Sequence, residues 1–334
     1  MITKAAIHSR YGDAHDVVAI KEVQLAPFNS GTVLVKMIYS PINPADINMC
    51  EGKYYVQPKL PCQLGNEGVG IVEDVSGNNQ TVHKGDHVII PFKSKDHWIG
   101  SWSQRVVVDA EDCVVIPKEI DLKQASMLTI NPPTAYLLLT QFKSFKKGDW
   151  VVQNAANSSV GRWVIYWAKQ QGLKIANIVR NKDQINQLNQ LGSDLTIEFE
   201  PRCANKVKEV TGGVSLALNG VGGQIAIETL RTLRSNGVMV TYGAMSKEPV
   251  QVGNAALIYK TVSVTGFNRT KWLETTDRKA VKLMYNKILN IYKSKSISIP
   301  IAKVFPFSKI KDAINFSNSE SRQGKVLIDW RKSN

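Results

Sequence analysis

The stretch Asp149–Gly172 constrains the fold more than any other part of the chain. Trp150 to Gln153 reads as an apolar strand, Asn154 to Ser159 as a tight loop of small residues, and the residues from Val160 onward as a helix. Val160, Val164, Tyr166, Trp167 and Ala168 give that helix its apolar positions, and Gly172 suits its C-terminal cap. A second strand, Lys174 to Val179, comes next and leads into Arg180-Asn181-Lys182. Strand, small-residue loop, helix and strand in this order form a βαβ unit. The N-terminus of its helix can hold a pyrophosphate on free backbone N–H groups.

The loop departs from the usual glycine fingerprint. Where G-x-G-x-x-G would stand, the chain has Asn154-Ala155-Ala156-Asn157-Ser158-Ser159-Val160-Gly161, and only the last glycine remains. That glycine is the one that lets helix and strand approach closely. Asn157, Ser158 and Ser159 can cap the helix or reach a phosphate, although an ordinary capped helix would read the same way. The end of the second strand discriminates. An NAD site would place Asp or Glu there for the ribose 2′-hydroxyl, whereas Arg180 and Lys182 suit a 2′-phosphate. The expected cofactor is NADPH, with Asn157, Ser158, Ser159 and Val160 at the pyrophosphate and Arg180, Asn181 and Lys182 at the 2′-phosphate.

Around this unit the pattern changes twice. Up to about Ile120 the chain reads as short strands with frequent turns, a largely antiparallel β domain. From Leu122 helices and strands alternate: Asn131 suits an N-cap with Pro132 at the first helical position, and strand Ser215 to Asn219 runs into Gly220-Val-Gly-Gly223. Strand Gly237 to Tyr242 and strand Thr261 to Gly266 complete a doubly wound parallel sheet. After a helix over Arg278 to Lys293, strands at Pro300 to Val304 and Gly324 to Trp330 return to the β pattern and can complete the first domain. The fold class is α/β. A Rossmann domain over residues 121–268 is expected to be inserted in a β-rich domain of residues 1–120 and 269–334.

A length of 334 residues accommodates two such domains. No apolar run spans a bilayer, and the N-terminus reads as a strand of the fold rather than a leader. The four cysteines are scattered without a C-x-x-C pair, which points to reduced thiols and a cytoplasmic protein, and makes no zinc cluster. The net charge of +14 is spread along the chain with no aromatic-interleaved basic helix. A solvated surface and attraction for an anionic substrate explain it about equally, and a nucleic-acid partner poorly.

Several motifs together carry a resemblance over nearly the whole chain. They are Pro41-Ile-Asn-Pro-Ala-Asp-Ile-Asn48 running into Glu51-Gly-Lys-Tyr54, Gly65-Asn-Glu-Gly68, Gly100-Ser-Trp102, Asn131-Pro-Pro-Thr-Ala-Tyr136, the nucleotide loop and Tyr242-Gly-Ala-Met245. The chain resembles the zinc-free medium-chain dehydrogenases/reductases, and more narrowly the mitochondrial-type 2-enoyl thioester reductases of fatty acid synthesis. The resemblance implies that the β-rich domain is GroES-like and that Tyr54 is the active-site hydroxyl. It also implies hydride transfer from NADPH to an acyl thioester of coenzyme A or acyl carrier protein, and a homodimer paired through the strand near Thr261 to Gly266. It places Trp102 by the thioester, and puts Asn131, Tyr242, Gly243, Ala244, Met245, Phe267, Asn268, Arg269 and Lys325 on the cofactor side.

Each assignment has a plainer competitor. Tyr54 is separated from its neighbour Tyr55 only by the Gly-x-Tyr spacing, and Trp102 reads equally as core. Lys325, beside Gly324, reads nearly as well as a solvated lysine, and Asn131 as a helix cap. Zinc members need a cysteine and a histidine as ligands, where this chain has Asn43 and Asn66. No metal is expected, and the role of Glu67 stays open. A quinone or small-enone reductase and a non-catalytic NADPH-binding protein are the alternative functions.

Overall fold

The computed structural model describes residues 1–54, 57–78, 80–91, 100–293, 297–319 and 322–332, and the chain divides into two compact units. The first comprises residues 1–130 and 276–334, the second residues 131–275.

The first unit opens with β1 (Ile2–His8), α1 (Ala14–Val17), β2 (Val18–Gln24), β3 (Thr32–Pro41), α2 (Pro44–Cys50) and β4 (Cys62–Gln63). Then come β5 (Val69–Val75), β6 (His87–Ile89), β7 (Arg105–Asp109), β8 (Val114–Ile116) and α3 (Leu122–Ala125). The second unit holds α4 (Asn131–Thr140), β9 (Trp150–Asn154), α5 (Ser159–Gln170), β10 (Lys174–Val179), α6 (Ile185–Gln190), β11 (Leu195–Glu198) and α7 (Cys203–Thr211). It continues with β12 (Val214–Asn219), α8 (Gly223–Arg231), β13 (Leu233–Thr241), α9 (Asn254–Ile258), β14 (Ser263–Gly266) and α10 (Arg269–Thr275). The chain then returns to the first unit with α11 (Arg278–Lys293), β15 (Ile301–Pro306), α12 (Ile310–Ser317) and β16 (Lys325–Asp329).

In the first unit a sheet of order β15-β16-β3-β5-β6-β8, with β7 also on β3, packs its apolar residues into one core. The C-terminal strands join that sheet: β16 lies antiparallel to β3 with Leu327 opposite Pro41 and Ile328 opposite Ser40. Nine of the ten residues of β3 are apolar or small, and the strand is buried on both faces over most of its length. Trp330 stacks on Phe307 at 5.7 Å between ring centroids, and its indole N–H donates to Ser40 Oγ at 3.1 Å. Helix α3 packs against β3 and β5, which is why residues 121–130 belong with this unit although the sequence pattern changes before them.

In the second unit six strands run parallel in the order β11-β10-β9-β12-β13-β14. By chain order within the unit this is 3-2-1-4-5-6, so the winding reverses between β9 and β12. The core under the sheet is formed by Val152, Ala176, Ile178, Val207, Leu230 and Met239 among others. Such a reversal opens a crevice outside the carboxyl ends of β9 and β12, where a ligand of this architecture binds.

Candidate functional site

The loop after β9 is built as its sequence requires. Ala155 adopts a positive φ of 54°, and Ser158 N-caps α5 by accepting the Gly161 N–H at 3.1 Å. A Cβ on residue 161 would lie 2.5 Å from Ala155 O and 2.6 Å from Ala156 Cα, so only glycine fits this crossing. Asn157 is exposed and Ser158, Ser159 and Val160 are partly so, at the first turn of a twelve-residue helix whose dipole favours an anion. Arg180, Asn181 and Lys182 are exposed at the carboxyl end of β10, with Asn181 Oδ1 accepting the Asp183 N–H at 2.9 Å.

Behind the loop lies a buried amide network that the sequence reading did not identify. Asn154 closes β9 and Asn219 closes β12, and Asn154 Nδ2 donates to Asn219 Oδ1 at 2.8 Å and to Thr229 Oγ1 at 3.1 Å. Asn154 Oδ1 accepts the Gly220 N–H at 2.8 Å, and Asn219 Oδ1 accepts those of Val221 and Gly222. These bonds pin the two loops at the winding reversal. An asparagine at the last position of both strands was the signal available in the sequence.

Among the described residues of this unit Gln153 Oε1 is a buried polar atom without a hydrogen-bond partner, and Asn131 Nδ2, Tyr242 Oη and Arg269 Nη1 are three more. Native proteins rarely leave such groups unsatisfied, and a bound ligand is one of the ordinary explanations. Asn131, Tyr242 and Arg269 were assigned to the cofactor by resemblance. Asn131 is the first residue of α4 rather than the cap before it, and is 7% exposed. Burial pushes the Tyr242 phenol above its usual range, a rise that Ser158 beside it partly offsets, so the group is a hydrogen-bond donor at neutral pH. Gly243 packs against Gly220, where a Cβ would come 2.8 Å from Gly220 O, while Ala244 and Met245 are more open. Phe267 makes an edge contact with Phe142 at 6.0 Å. Asn268 has a local task, accepting the Lys271 N–H at 3.1 Å at the start of α10. Donors of this kind fit a dinucleotide.

In the first unit, α2 ends in a Schellman motif. Gly52, at φ 68°, donates its N–H to Met49 O at 3.2 Å, and Lys53 donates to Asn48 O at 2.8 Å. Tyr11 covers Gly52 closely enough that a Cβ there would meet its ring at 3.2 Å. Tyr54 follows directly, half-buried, with its body against the apolar core. Tyr55, its competitor for the role, lies outside the described residues.

The two glycine motifs of the resemblance lie against each other. Ser101 N–H donates to Gly65 O at 3.0 Å, Trp102 N–H to Leu64 O at 2.9 Å, and Ser101 Oγ to Glu67 O at 2.6 Å. Trp102 is 0% exposed, and its indole N–H reaches Pro41 O at 3.2 Å. Of the two roles weighed for it, packing is the one this geometry supplies. Lys325 is also buried rather than solvated, and its ammonium donates to Asn43 Oδ1. Asn43 Nδ2 in turn donates to Glu67 Oε1 at 2.9 Å.

A 3-2-1-4-5-6 parallel sheet with a capped anion loop, together with a β unit completed by the C-terminal strands, defines a dinucleotide-dependent oxidoreductase of the medium-chain dehydrogenase/reductase class. Residues 29–118 match the alcohol dehydrogenase GroES-like domain, and residues 159–286 the zinc-binding dehydrogenase family. The mitochondrial enoyl-[acyl-carrier-protein] reductase of Xenopus tropicalis is 34% identical over 98% of this chain and 95% of its own length. That of Dictyostelium discoideum is 36% identical over 89% of this chain and 86% of its own. The chain belongs to this family of enoyl reductases. Its fold superposes on the complex of Etr1p with NADP and crotonyl-CoA with a TM-score of 0.87 at 25% identity, covering 99% of this chain and 100% of the other. An NADPH:quinone reductase structure from Bacillus thuringiensis gives a TM-score of 0.91 at 24% identity over 98% of this chain and 99% of its own, a likeness of fold.

These relatives overturn the cytoplasmic placement expected from the cysteines, because they are named as mitochondrial enzymes. Four buried free thiols suit a reducing environment and do not separate cytosol from matrix. Among the described residues no helix is long and apolar enough to cross a membrane.

Zinc, implied by one family's description, does not fit the donors present. Asn66 is turned to Asp46, with Nδ2 to Oδ1 at 2.6 Å, and the carboxamide oxygen of Asn43 is taken by the Lys325 ammonium. Zinc sites are made from thiolate, imidazole and carboxylate, and a divalent ion here would face a cation.

Proposed function

We propose that the chain reduces the trans-2 double bond of an enoyl thioester with NADPH, in the manner of fatty acid synthesis. What carries this reading is end-to-end relationship with enoyl-[acyl-carrier-protein] reductases, in a chain whose nucleotide unit leaves Asn131 Nδ2, Tyr242 Oη and Arg269 Nη1 among its unsatisfied buried polar atoms. Asn157 to Val160 would hold the pyrophosphate at the start of α5, and Arg180 with Asn181 and Lys182 the 2′-phosphate at the end of β10. Asn131, Tyr242 to Met245 and Phe267 to Arg269 would line the rest of the cofactor. Bound NADPH supplies the hydride that goes to the substrate's β-carbon. Negative charge then develops on the thioester oxygen, and Tyr54 is the donor that stabilises it and delivers a proton toward the α-carbon.

NADPH oxidation with a panel of trans-2-enoyl thioesters, quinones and enals tests the reading. Turnover of the thioesters is expected. Preference for quinones would replace the substrate class, and no turnover at all would leave an NADPH-binding protein. Loss of the charge-assisted contacts of Arg180 in Arg180→Ala is expected to cost about 1.5–3 kcal/mol of NADPH binding and little NADH binding. Equal use of both cofactors by the unaltered protein would remove the 2′-phosphate assignment.

A homodimer formed by edge pairing of β14 belongs to the same proposal. The four residues of β14 are exposed at the end of the sheet, and Ile258 and Tyr259 beside them in sequence are 64% and 82% exposed. A related pair, Etr1p/Etr2p of Candida tropicalis, is a heterodimer. Light scattering at micromolar concentration should give twice the 37.1 kDa chain mass, and a monomer mass would exclude the pairing.

A further inference from the structure

Arg162 has no part in the contacts assigned so far to the cofactor, yet it lies against the loop that carries several of them. It is the fourth residue of α5, and among the described residues of that helix that are buried it alone carries a charge. It is 8% exposed. Its one side-chain hydrogen bond among the described residues runs from Nε to the Asn157 carbonyl at 3.2 Å, and no carboxylate there pairs with it. Burial pulls the guanidinium below its ordinary range, but an arginine keeps its charge in a protein at neutral pH.

In the protein alone that placement is unfavourable twice over. A charge taken out of water costs free energy unless an opposite charge or a full set of hydrogen bonds replaces its hydration, and a single carbonyl is neither. The second cost comes from the helix. Side chains lean toward a helix's N-terminus, and Arg162 reaches back five residues to Asn157, just before the N-cap Ser158. The guanidinium is thereby held at the end where the helix dipole is already positive, an end that favours anions over cations. Beside Ser158 the buried Tyr242 hydroxyl is a second group without a hydrogen-bond partner. An anion at this loop would answer both. We infer that Arg162 is a further cofactor-binding residue, whose guanidinium supplies the counter-charge for the pyrophosphate at the start of α5. The assignment rests on the NADPH reading, but it differs from that of Arg180 in what is recognised. NADPH and NADH share the pyrophosphate, whereas only NADPH carries the 2′-phosphate.

The test is calorimetric titration of NADPH and of NADH into the unaltered protein and into Arg162→Met, with melting curves of both proteins free of cofactor. Methionine keeps an apolar stem and removes the charge. Both dissociation constants should rise by the same factor, roughly ten- to a hundredfold, as expected for loss of a charge-assisted contact. Arg180→Ala should instead raise that of NADPH alone. Free of cofactor, Arg162→Met should melt no lower than the unaltered protein, because an unpaired buried cation has left the positive end of a helix. A purely structural lock on Asn157 predicts the reverse. A cofactor-free melting point several degrees lower, or failure of the variant to fold, would therefore overturn the inference. A loss confined to NADPH would overturn it too, by moving the residue to the 2′-phosphate. If the unaltered protein binds neither nucleotide, the cofactor reading fails and this inference with it, whereas binding that Arg162→Met leaves unchanged sinks the inference alone.

Discussion

Tyr54→Phe is expected to slow enoyl thioester turnover by roughly 10²–10³, the usual effect of removing one donor to a developing oxyanion. The substitution removes a single oxygen and keeps the ring, whose body packs against the core, so the fold should be undisturbed. Phenols ordinarily titrate near 10 and therefore carry their proton at neutral pH, which lets such a group donate without being charged first. Because the contact strengthens only as charge builds on the substrate, kcat and kcat/KM should fall together. NADPH affinity should stay as it was, because Tyr54 is not among the residues proposed to hold the cofactor. Tyr55→Phe should do much less, and the pair of variants decides between the neighbours by stopped-flow and steady-state kinetics. Near-wild-type turnover in Tyr54→Phe would take the chemistry away from this residue.

The βαβ unit was legible because three local signals agree over about twenty residues: an apolar strand, a small-residue loop and a glycine where backbones must cross. Gly161 is placed at that crossing by the structure, with the Ala155 carbonyl against it. The return of the C-terminal strands to the first sheet was also readable, since β16 keeps its apolar pattern although its partner β3 is far away in sequence. Helix α2 was not. Seven residues with Pro44 at the start carry no helical period, although the Asp46 carboxylate accepts the Asn43 N–H at the helix start. Lys325 could not be placed either. Lysine is rarely buried, so beside a glycine it reads as solvated, and its partner Asn43 lies 282 residues away. The unsatisfied Tyr242 hydroxyl and Arg269 guanidinium have no sequence signature, because what marks them is a missing partner in three dimensions. Resemblance supplied those residues, and geometry supplies the reason a ligand would meet them.

The second large effect is on stability. Trp102 fills the core of the first unit with Val33, Val35, Met37, Val106 and Ile328. Its backbone lies so close to residue 65 that a Cβ there would collide with it, and residue 65 is a glycine at φ 104°. Trp102→Ala should therefore destabilise this unit by about 3–5 kcal/mol, through lost transfer energy and an unfilled cavity. The Pro41 carbonyl also loses its indole donor, which adds a further penalty of about 1 kcal/mol or more if water cannot reach it. Trp102→Phe keeps most of the apolar volume and should recover the larger part of the loss. Calorimetry is the suitable measurement, because a chain of two units need not unfold in one step. Only the transition of the first unit should move. The same pair of variants separates packing from substrate contact. A residue that only packs leaves the thioester KM of folded Trp102→Phe unchanged, whereas a residue lining the acyl group raises it without shifting the melting transition in proportion.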